Sequence, residues 1–182
     1  MVVLVTGGSG SGKSEYAENR LLELRADWSR KGIELPRSFY IATMYPYDEE
    51  SRERVKKHQH MRATKQFDTL ECYTNLKQLK LQQDCFLLVE CMSNLIANER
   101  YMDEGCRLEG EAFVGYVMEG VKHCIPVASH VVIVTNEVNS DGIAYDRETM
   151  EYMRLIGQVN QRLAALADEV VEIVYGIPVK LK

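Results

Sequence analysis

The segment Gly7-Gly8-Ser9-Gly10-Ser11-Gly12-Lys13-Ser14 fits G-x-x-x-x-G-K-[ST], and it restricts the possible folds more than any other stretch of the chain. Ahead of it, Val2-Val3-Leu4-Val5 is a continuous, branched apolar run that reads as a buried parallel strand. Behind it, Glu15 to Leu22 contains no Gly or Pro and favours helix. Strand, glycine-rich loop and helix together wrap backbone N–H groups around a di- or triphosphate. The glycines permit positive φ and place no Cβ in the way. The helix N-terminus adds unpaired N–H groups and a positive dipole end. The motif assigns Lys13 to the β/γ-phosphates and the Ser14 hydroxyl to Mg²⁺. A plain Gly/Ser-rich turn ahead of a helix is the bland alternative, and the flanks on both sides argue against it.

At 182 residues the chain suits one domain with a full core, spanning 1–182. A net charge of −5 argues against nucleic acid as a principal partner. No apolar run approaches membrane-spanning length, and the opening strand leaves no room for a signal peptide. The five cysteines form no C-x-x-C pair and are odd in number. They read as reduced thiols in a cytoplasmic protein, not as a disulfide framework or zinc site.

Along the chain, apolar runs alternate with helical segments. Residues 25–37 read as a helix end and loop, with Trp28 as a packing residue. Ser38 to Thr43 is a second strand, stopped by Met44-Tyr45-Pro46-Tyr47. Asp48 opens a charged helix to about His60, acidic at its start and basic at its end, as the macrodipole favours. It is too polar for the core and should lie over an edge or a cleft. Residues 69–73 suggest an irregular strand and 75–82 a short helix. Cys85 to Val89 is a third strand, apolar until Glu90, where a P-loop enzyme carries its second magnesium-directed group.

Residues 91–98 continue as helix, 99–110 as an exposed loop or frayed helix, and 111–124 as a helix ended by Pro126. His130 to Val134 is a fourth strand with a polar Thr135-Asn136-Glu137 tip. Thr149 starts a long helix to about Ala167, Val170 to Tyr175 is a strand, and Val179-Lys180-Leu181 an antiparallel edge strand. The expected fold is α/β: a mostly parallel sheet with helices on both faces and a C-terminal antiparallel edge strand. Ligands then bind at the strands' C-terminal ends, where the glycine loop, Glu90 and the Thr135-Asn136-Glu137 tip all fall.

These groups suit phosphoryl transfer to an acceptor, or hydrolysis. An acidic chain of this length without repeats suits a small-molecule kinase better than a motor or helicase. His58, with basic neighbours Lys56, Lys57 and Arg62, allows a second chemistry. A histidine beside a nucleotide can attack phosphorus and hold it covalently. From spacing alone, a solvated histidine at a helix C-terminus is the simpler reading.

The chain resembles the bifunctional adenosylcobinamide kinase / adenosylcobinamide-phosphate guanylyltransferase family almost end to end. The resemblance lies in Leu4-Val5-Thr6-Gly7-Gly8 and the P-loop, Tyr40-Ile41-Ala42-Thr43, Asp48-x-Glu50, Arg54-Val55-x-x-His58 with Arg62, and Thr69-x-Glu71. It continues through Thr135-Asn136-Glu137-Val138, Gly157-x-x-Asn160-Gln161, Ala167-Asp168-Glu169-Val170 and Gly176-Ile177-Pro178-Val179-Lys180.

The resemblance implies a P-loop NTPase fold of the RecA-like type, assembled as a homotrimer. It implies a kinase that phosphorylates the aminopropanol hydroxyl of adenosylcobinamide with ATP or GTP. It also implies a transferase that takes GMP from GTP onto a histidine, releases pyrophosphate, and passes GMP to adenosylcobinamide phosphate, giving adenosylcobinamide-GDP. That histidine is His58, with His60 as the runner-up. Lys13 and Glu90 are the other catalytic residues, and Mg²⁺ lies on Ser14 and Glu90. The implied nucleotide-binding set adds Thr43, Arg62, Glu71, Glu90, Asn136 and Glu137 to residues 7–14. The sequence departs from the family pattern after Val138, where a glycine is displaced to Gly142 and a proline is absent. Ser51 and Phe67 replace the usual Met and Trp.

Overall fold

The computed structural model describes residues 1–32, 34–62, 65–140 and 142–182; within the charged helix, the side chains of Arg54, Lys57, His58, Met61 and Arg62 lie outside the described residues. The first strand β1 (Val2–Gly7) is followed by α1 (Lys13–Ser29), β2 (Ser38–Ala42), α2 (Glu49–Arg62), β3 (Asp68–Glu71) and β4 (Cys85–Glu90). Then come α3 (Met92–Tyr101), α4 (Gly110–Cys124), β5 (Ala128–Val134), α5 (Arg147–Leu166), β6 (Glu169–Val174) and β7 (Ile177–Lys180).

The seven strands form one sheet in the order β3-β2-β4-β5-β1-β6-β7. Every pairing is parallel except β6 with β7, so the C-terminal edge strand runs antiparallel as expected. Successive side chains leave a strand on opposite faces, and the apolar strands therefore feed two cores. Val3, Val5, Phe86, Leu88, Val132 and Val134 pack with Ala17, Leu21 and Leu24 of α1. On the other face, Val2, Leu4, Leu87, Val89, Val131 and Ile133 pack beneath α3, α4 and α5. This double burial explains why the strands read as continuous apolar runs.

Three expectations need correction. Helix α1 runs on to Ser29 instead of ending near Arg25. Trp28 lies in its last turn, edge-on to Phe86 and His130 at 5.8 Å each, and this cover for the sheet carries the helix onward. The helix expected over 75–82 is only a 3₁₀ turn at Leu76–Gln78. Asn75 enters it in the left-handed region, and only Leu76 is buried, so no amphipathic stripe sustains a longer helix. Helix α3, expected over 91–98, continues to Tyr101, so Glu99, expected to begin an exposed loop or frayed helix, lies inside the protein beside Asn98. Asn98 donates to the Thr43 and Tyr73 carbonyls at 2.7 and 2.9 Å. Glu99 accepts from the Asn75 amide at 2.5 Å.

Among the described residues, no helix is long and apolar enough to cross a membrane. The five cysteines are free.

Candidate functional site

Strand β1 delivers the glycine loop at the C-terminal edge of the sheet, and α1 begins directly at Lys13. Gly7 has φ 149°, and a Cβ there would lie 2.5 Å from the Ile173 carbonyl oxygen. The loop leaves its strand against the backbone of β6, an approach only glycine permits. Gly12 takes φ 93° at the helix N-cap, so the chain turns sharply into α1. Lys13 is 8 % exposed, and its Nζ donates to the Gly8 carbonyl at 2.9 Å. Burial lowers the Lys13 pKa, while the nearby Cys91 and Glu90 oppose that shift.

The Ser14 hydroxyl donates to Glu90 Oε1 at 2.7 Å. Glu90 closes β4, two strands away from β1 with β5 between them. Parallel alignment brings both C-terminal ends to one edge, and α1 turns Ser14 toward Glu90. A hydroxyl and a carboxylate at hydrogen-bond distance are hard oxygen donors suited to Mg²⁺, which takes one or two protein groups and completes its shell with phosphates and water. Among the described residues, no cluster of three or more His, Cys, Asp or Glu side chains is placed to hold a metal by itself.

The polar tip of β5 is tied to the same edge. The Glu137 amide donates to the Gly7 carbonyl at 3.1 Å. Thr135 donates through its hydroxyl to Asn160 Oδ1 at 2.7 Å, and Asn160 Nδ2 returns to the Asn136 carbonyl at 3.1 Å. Asn136 Nδ2 then donates to Ser93 Oγ at 2.7 Å. This chain links the Thr135-Asn136-Glu137 tip to the Gly157-x-x-Asn160 segment of α5 and to the start of α3. Both sequence segments therefore serve one polar network beside the P-loop. The Glu137 carboxylate accepts from the Asn139 amide at 2.7 Å, turning the chain at the altered loop.

Helix α2 lies over a cleft at the ends of β2 and β4, lined by Tyr40, Met44, Val55, Gln59, Glu71 and Tyr73 among others. Glu90 also lines it, so the cleft opens beside the Ser14–Glu90 pair. Tyr73 donates to Glu71 Oε2 at 2.7 Å, and burial together with that carboxylate pushes its pKa up to about 12. The phenol therefore remains a donor and fixes the Glu71 carboxylate.

Not every expected residue reaches the cleft in the same way. Thr43 is fully buried, and its hydroxyl lies 2.9 and 2.8 Å from the Glu90 and Cys91 carbonyls. It braces the backbone under Glu90 and does not line the cleft. His58 lies on α2 between Val55 and Gln59, which face the cleft; the His58 and Arg62 side chains are outside the described residues. His60 is exposed. Sequence reasoning missed Ser93 and Asn98, two buried polar residues that hold the tip of β5 and the β2–α2 connection. The signal was present as polar residues among the apolar positions of α3, a pattern that requires hydrogen-bond partners.

The family model for cobinamide kinase / cobinamide phosphate guanyltransferase matches residues 3–181. A relative from Salmonella typhimurium, described as bifunctional adenosylcobalamin biosynthesis protein CobU, is 33% identical over 100% of both chains. The Escherichia coli protein of the same description is 31% identical, again over 100% of both chains. Among solved structures, an ATPase domain aligns with 94% of this chain and 68% of its own, at a TM-score of 0.48 and 9% identity. A protein from Pyrococcus horikoshii aligns with 100% of this chain and 85% of its own, at a TM-score of 0.49 and 12% identity.

Proposed function

The chain belongs to the cobinamide kinase / cobinamide phosphate guanyltransferase family, and from that membership we propose that it carries out two successive transfers on adenosylcobinamide. In the first, the aminopropanol hydroxyl attacks the γ-phosphorus of ATP or GTP. The hydroxyl loses its proton, the β–γ bridging bond breaks, and the nucleoside diphosphate leaves. In the second, His58 attacks the α-phosphorus of GTP and pyrophosphate leaves. A phosphate oxygen of adenosylcobinamide phosphate then attacks the His58-bound phosphorus, frees the histidine and gives adenosylcobinamide-GDP.

The observation that carries this reading is the 2.7 Å contact between Ser14 and Glu90 at the mouth of a glycine loop that presents a buried lysine. Loop amides from residues 7–14 cradle the phosphates, and Lys13 places its charge on the β- and γ-oxygens. Ser14 and Glu90 would hold Mg²⁺, whose charge offsets that developing on the phosphates. Asn136 and Glu137 border the loop through the β5 tip, and Thr43 holds Glu90 in place.

The cleft beneath α2 suits the guanine of the second step. Tyr40, Met44 and Val55 supply apolar wall, and Glu71 supplies an acceptor for the guanine N1–H and N2–H donors, which adenine does not present in that pattern. Arg62, at the end of α2, completes the proposed nucleotide set. The same reading takes residues 1–182 as one cytoplasmic domain that assembles as a homotrimer, which light scattering tests directly.

Incubation with α-³²P-GTP tests the covalent step. Wild-type protein should acquire acid-labile label, His58→Ala should not, and His60→Ala should keep it. Absence of label would leave a kinase without the histidine route, and label surviving His58→Ala would take that role from His58. Formation of ADP that depends on adenosylcobinamide tests the first step.

A further inference from the structure

The turn between β6 and β7 touches the phosphate loop. The Gly176 amide donates to the Ser11 carbonyl at 2.9 Å, and a Cβ on Gly12 would lie 3.7 Å from Gly176 Cα. In the sheet order β4-β5-β1-β6-β7, the loop rises from β1, so this turn flanks it on the side opposite Glu90. At the turn stands Tyr175, with φ 50° and 96% of its surface exposed. It is the most exposed large apolar residue among those described. A tyrosine in the left-handed region bears a conformational cost, and here its ring gains almost no burial in return.

We infer that Tyr175 is the stacking platform for the base of the phosphate-donor nucleotide. The inference rests on the kinase reading above. When the γ-phosphate points to Lys13, Ser14 and Glu90, the phosphate chain leads away from β4. It runs toward β6 and β7, where ribose and base emerge beside the turn. Consecutive Cα atoms are about 3.8 Å apart, so the Tyr175 ring starts one residue from the contact with Ser11. Stacking on an aromatic face reads no hydrogen-bond pattern and accepts adenine and guanine alike. The cleft under α2 lies on the opposite side of β1, where Glu71 discriminates. One phosphate loop thus serves two directions of entry: base over Tyr175 for γ-transfer, and base beside Glu71 for α-transfer.

Calorimetric titration of the full chain with Mg²⁺-ATP and, separately, with Mg²⁺-tripolyphosphate tests this assignment. Tyr175→Ala should raise the ATP Kd by about tenfold, in the range for one lost base–aromatic stack. Tripolyphosphate affinity should stay unchanged, and Tyr175→Trp should keep ATP affinity. In the kinase assay, Tyr175→Ala should raise KM for ATP with kcat held. An ATP Kd within twofold of wild type would overturn the inference. So would equal weakening of ATP and tripolyphosphate, which would make the turn only a brace for the loop. A change in molar mass on light scattering without a change in ATP affinity would also overturn it, assigning the ring to contact between copies. Wild-type protein that binds tripolyphosphate as tightly as ATP would sink the base platform alone. Wild-type protein that binds neither would sink the phosphate-loop reading itself.

Discussion

Ser14 Oγ donates to Glu90 Oε1 at 2.7 Å, joining two residues 76 positions apart in the chain. The contact arises because β1 and β4 are parallel and separated only by β5, so a hydroxyl in the first turn of the helix that follows β1 meets a carboxylate closing β4. Replacing the carboxylate by its amide separates charge from shape. Glu90→Gln can still accept from Ser14, so the fold should be nearly unperturbed. Kinase kcat should fall about 10²-fold, comparable to losing one preorganised electrostatic group, and the Mg²⁺ concentration for half-maximal rate should rise. A Mg²⁺ titration of the kinase rate checks both; an unchanged rate would remove Glu90 from the machinery.

An ion pair holds the helix that follows the P-loop. Lys65 Nζ lies 2.6 Å from Glu18 Oε2, and the Glu18 side chain is fully buried while Lys65 is 18% exposed. Removing the cation leaves a buried carboxylate without its charge partner. Lys65→Met should therefore destabilise the fold by about 3 kcal/mol, in the range for a broken buried pair. Glu18→Gln with Lys65→Met should recover part of the loss, because no buried charge then remains. Urea unfolding of Lys65→Met, Glu18→Gln and the double variant gives the comparison, and an additive double mutant would deny the coupling.

The sequence pattern exposed most of the architecture because the physics there is local. The runs Val2–Val5, Cys85–Val89 and Val131–Val134 are apolar at successive positions, which only a sheet covered on both faces explains. The phosphate loop and Glu90 were legible for a related reason: each is a polar or glycine-rich break at the end of such a run. Asn98 and Glu99 were not. The stretch that follows, Arg100 to Gly110, is rich in charge, and burial of these two depends on Thr43, Tyr73 and Asn75, which come from other parts of the chain. The start of α5 was also misplaced by two residues. Asp146 caps it, accepting from the Glu148 and Thr149 amides at 2.9 and 3.0 Å, a role that belongs to the residue before the apolar stripe begins.

Glu99 makes stability depend on pH. Its carboxyl is buried, and desolvation raises its pKa above the ordinary value of 4.5, outweighing the hydrogen bonds from Asn75, Cys106 and Tyr116. The folded state therefore keeps a proton that the unfolded chain releases above about pH 4.5. Stability from this group is fully present below that pH and declines as pH rises through the folded pKa. Glu99→Gln removes the titration. The difference in unfolding free energy, variant minus wild type, should shift in favour of the variant as pH is raised from about 4.5. Denaturant unfolding at a series of pH values measures it, and a pH-independent difference would contradict the buried, proton-retaining carboxyl.

The glycines of the phosphate loop do different work, and two alanine substitutions separate the roles. Gly7 has φ 149°, and an added Cβ would meet the Ile173 carbonyl oxygen at 2.5 Å and Ser11 Oγ at 2.8 Å. Ser11 could rotate, but the carbonyl belongs to β6, which is paired with β1 at this very register, Gly7 opposite Ile173. Relief requires β1 and β6 to move apart. Gly7→Ala should cost about 3 kcal/mol or more, at the upper end of ordinary single substitutions, and should lower Tm whether or not nucleotide is added. At Gly8, an added Cβ meets nothing within 4 Å. Gly8→Ala should leave Tm of the free protein within about 2 °C, since surface changes stay near 0.5 kcal/mol. Its methyl group would instead project from the loop that cradles the phosphates, so nucleotide affinity should fall while the fold holds. Thermal unfolding with and without Mg²⁺-ATP distinguishes the two: a lower baseline for Gly7→Ala, and a smaller ligand-induced rise for Gly8→Ala. Equal baselines for both variants would show that β6 does not confine the loop at Gly7.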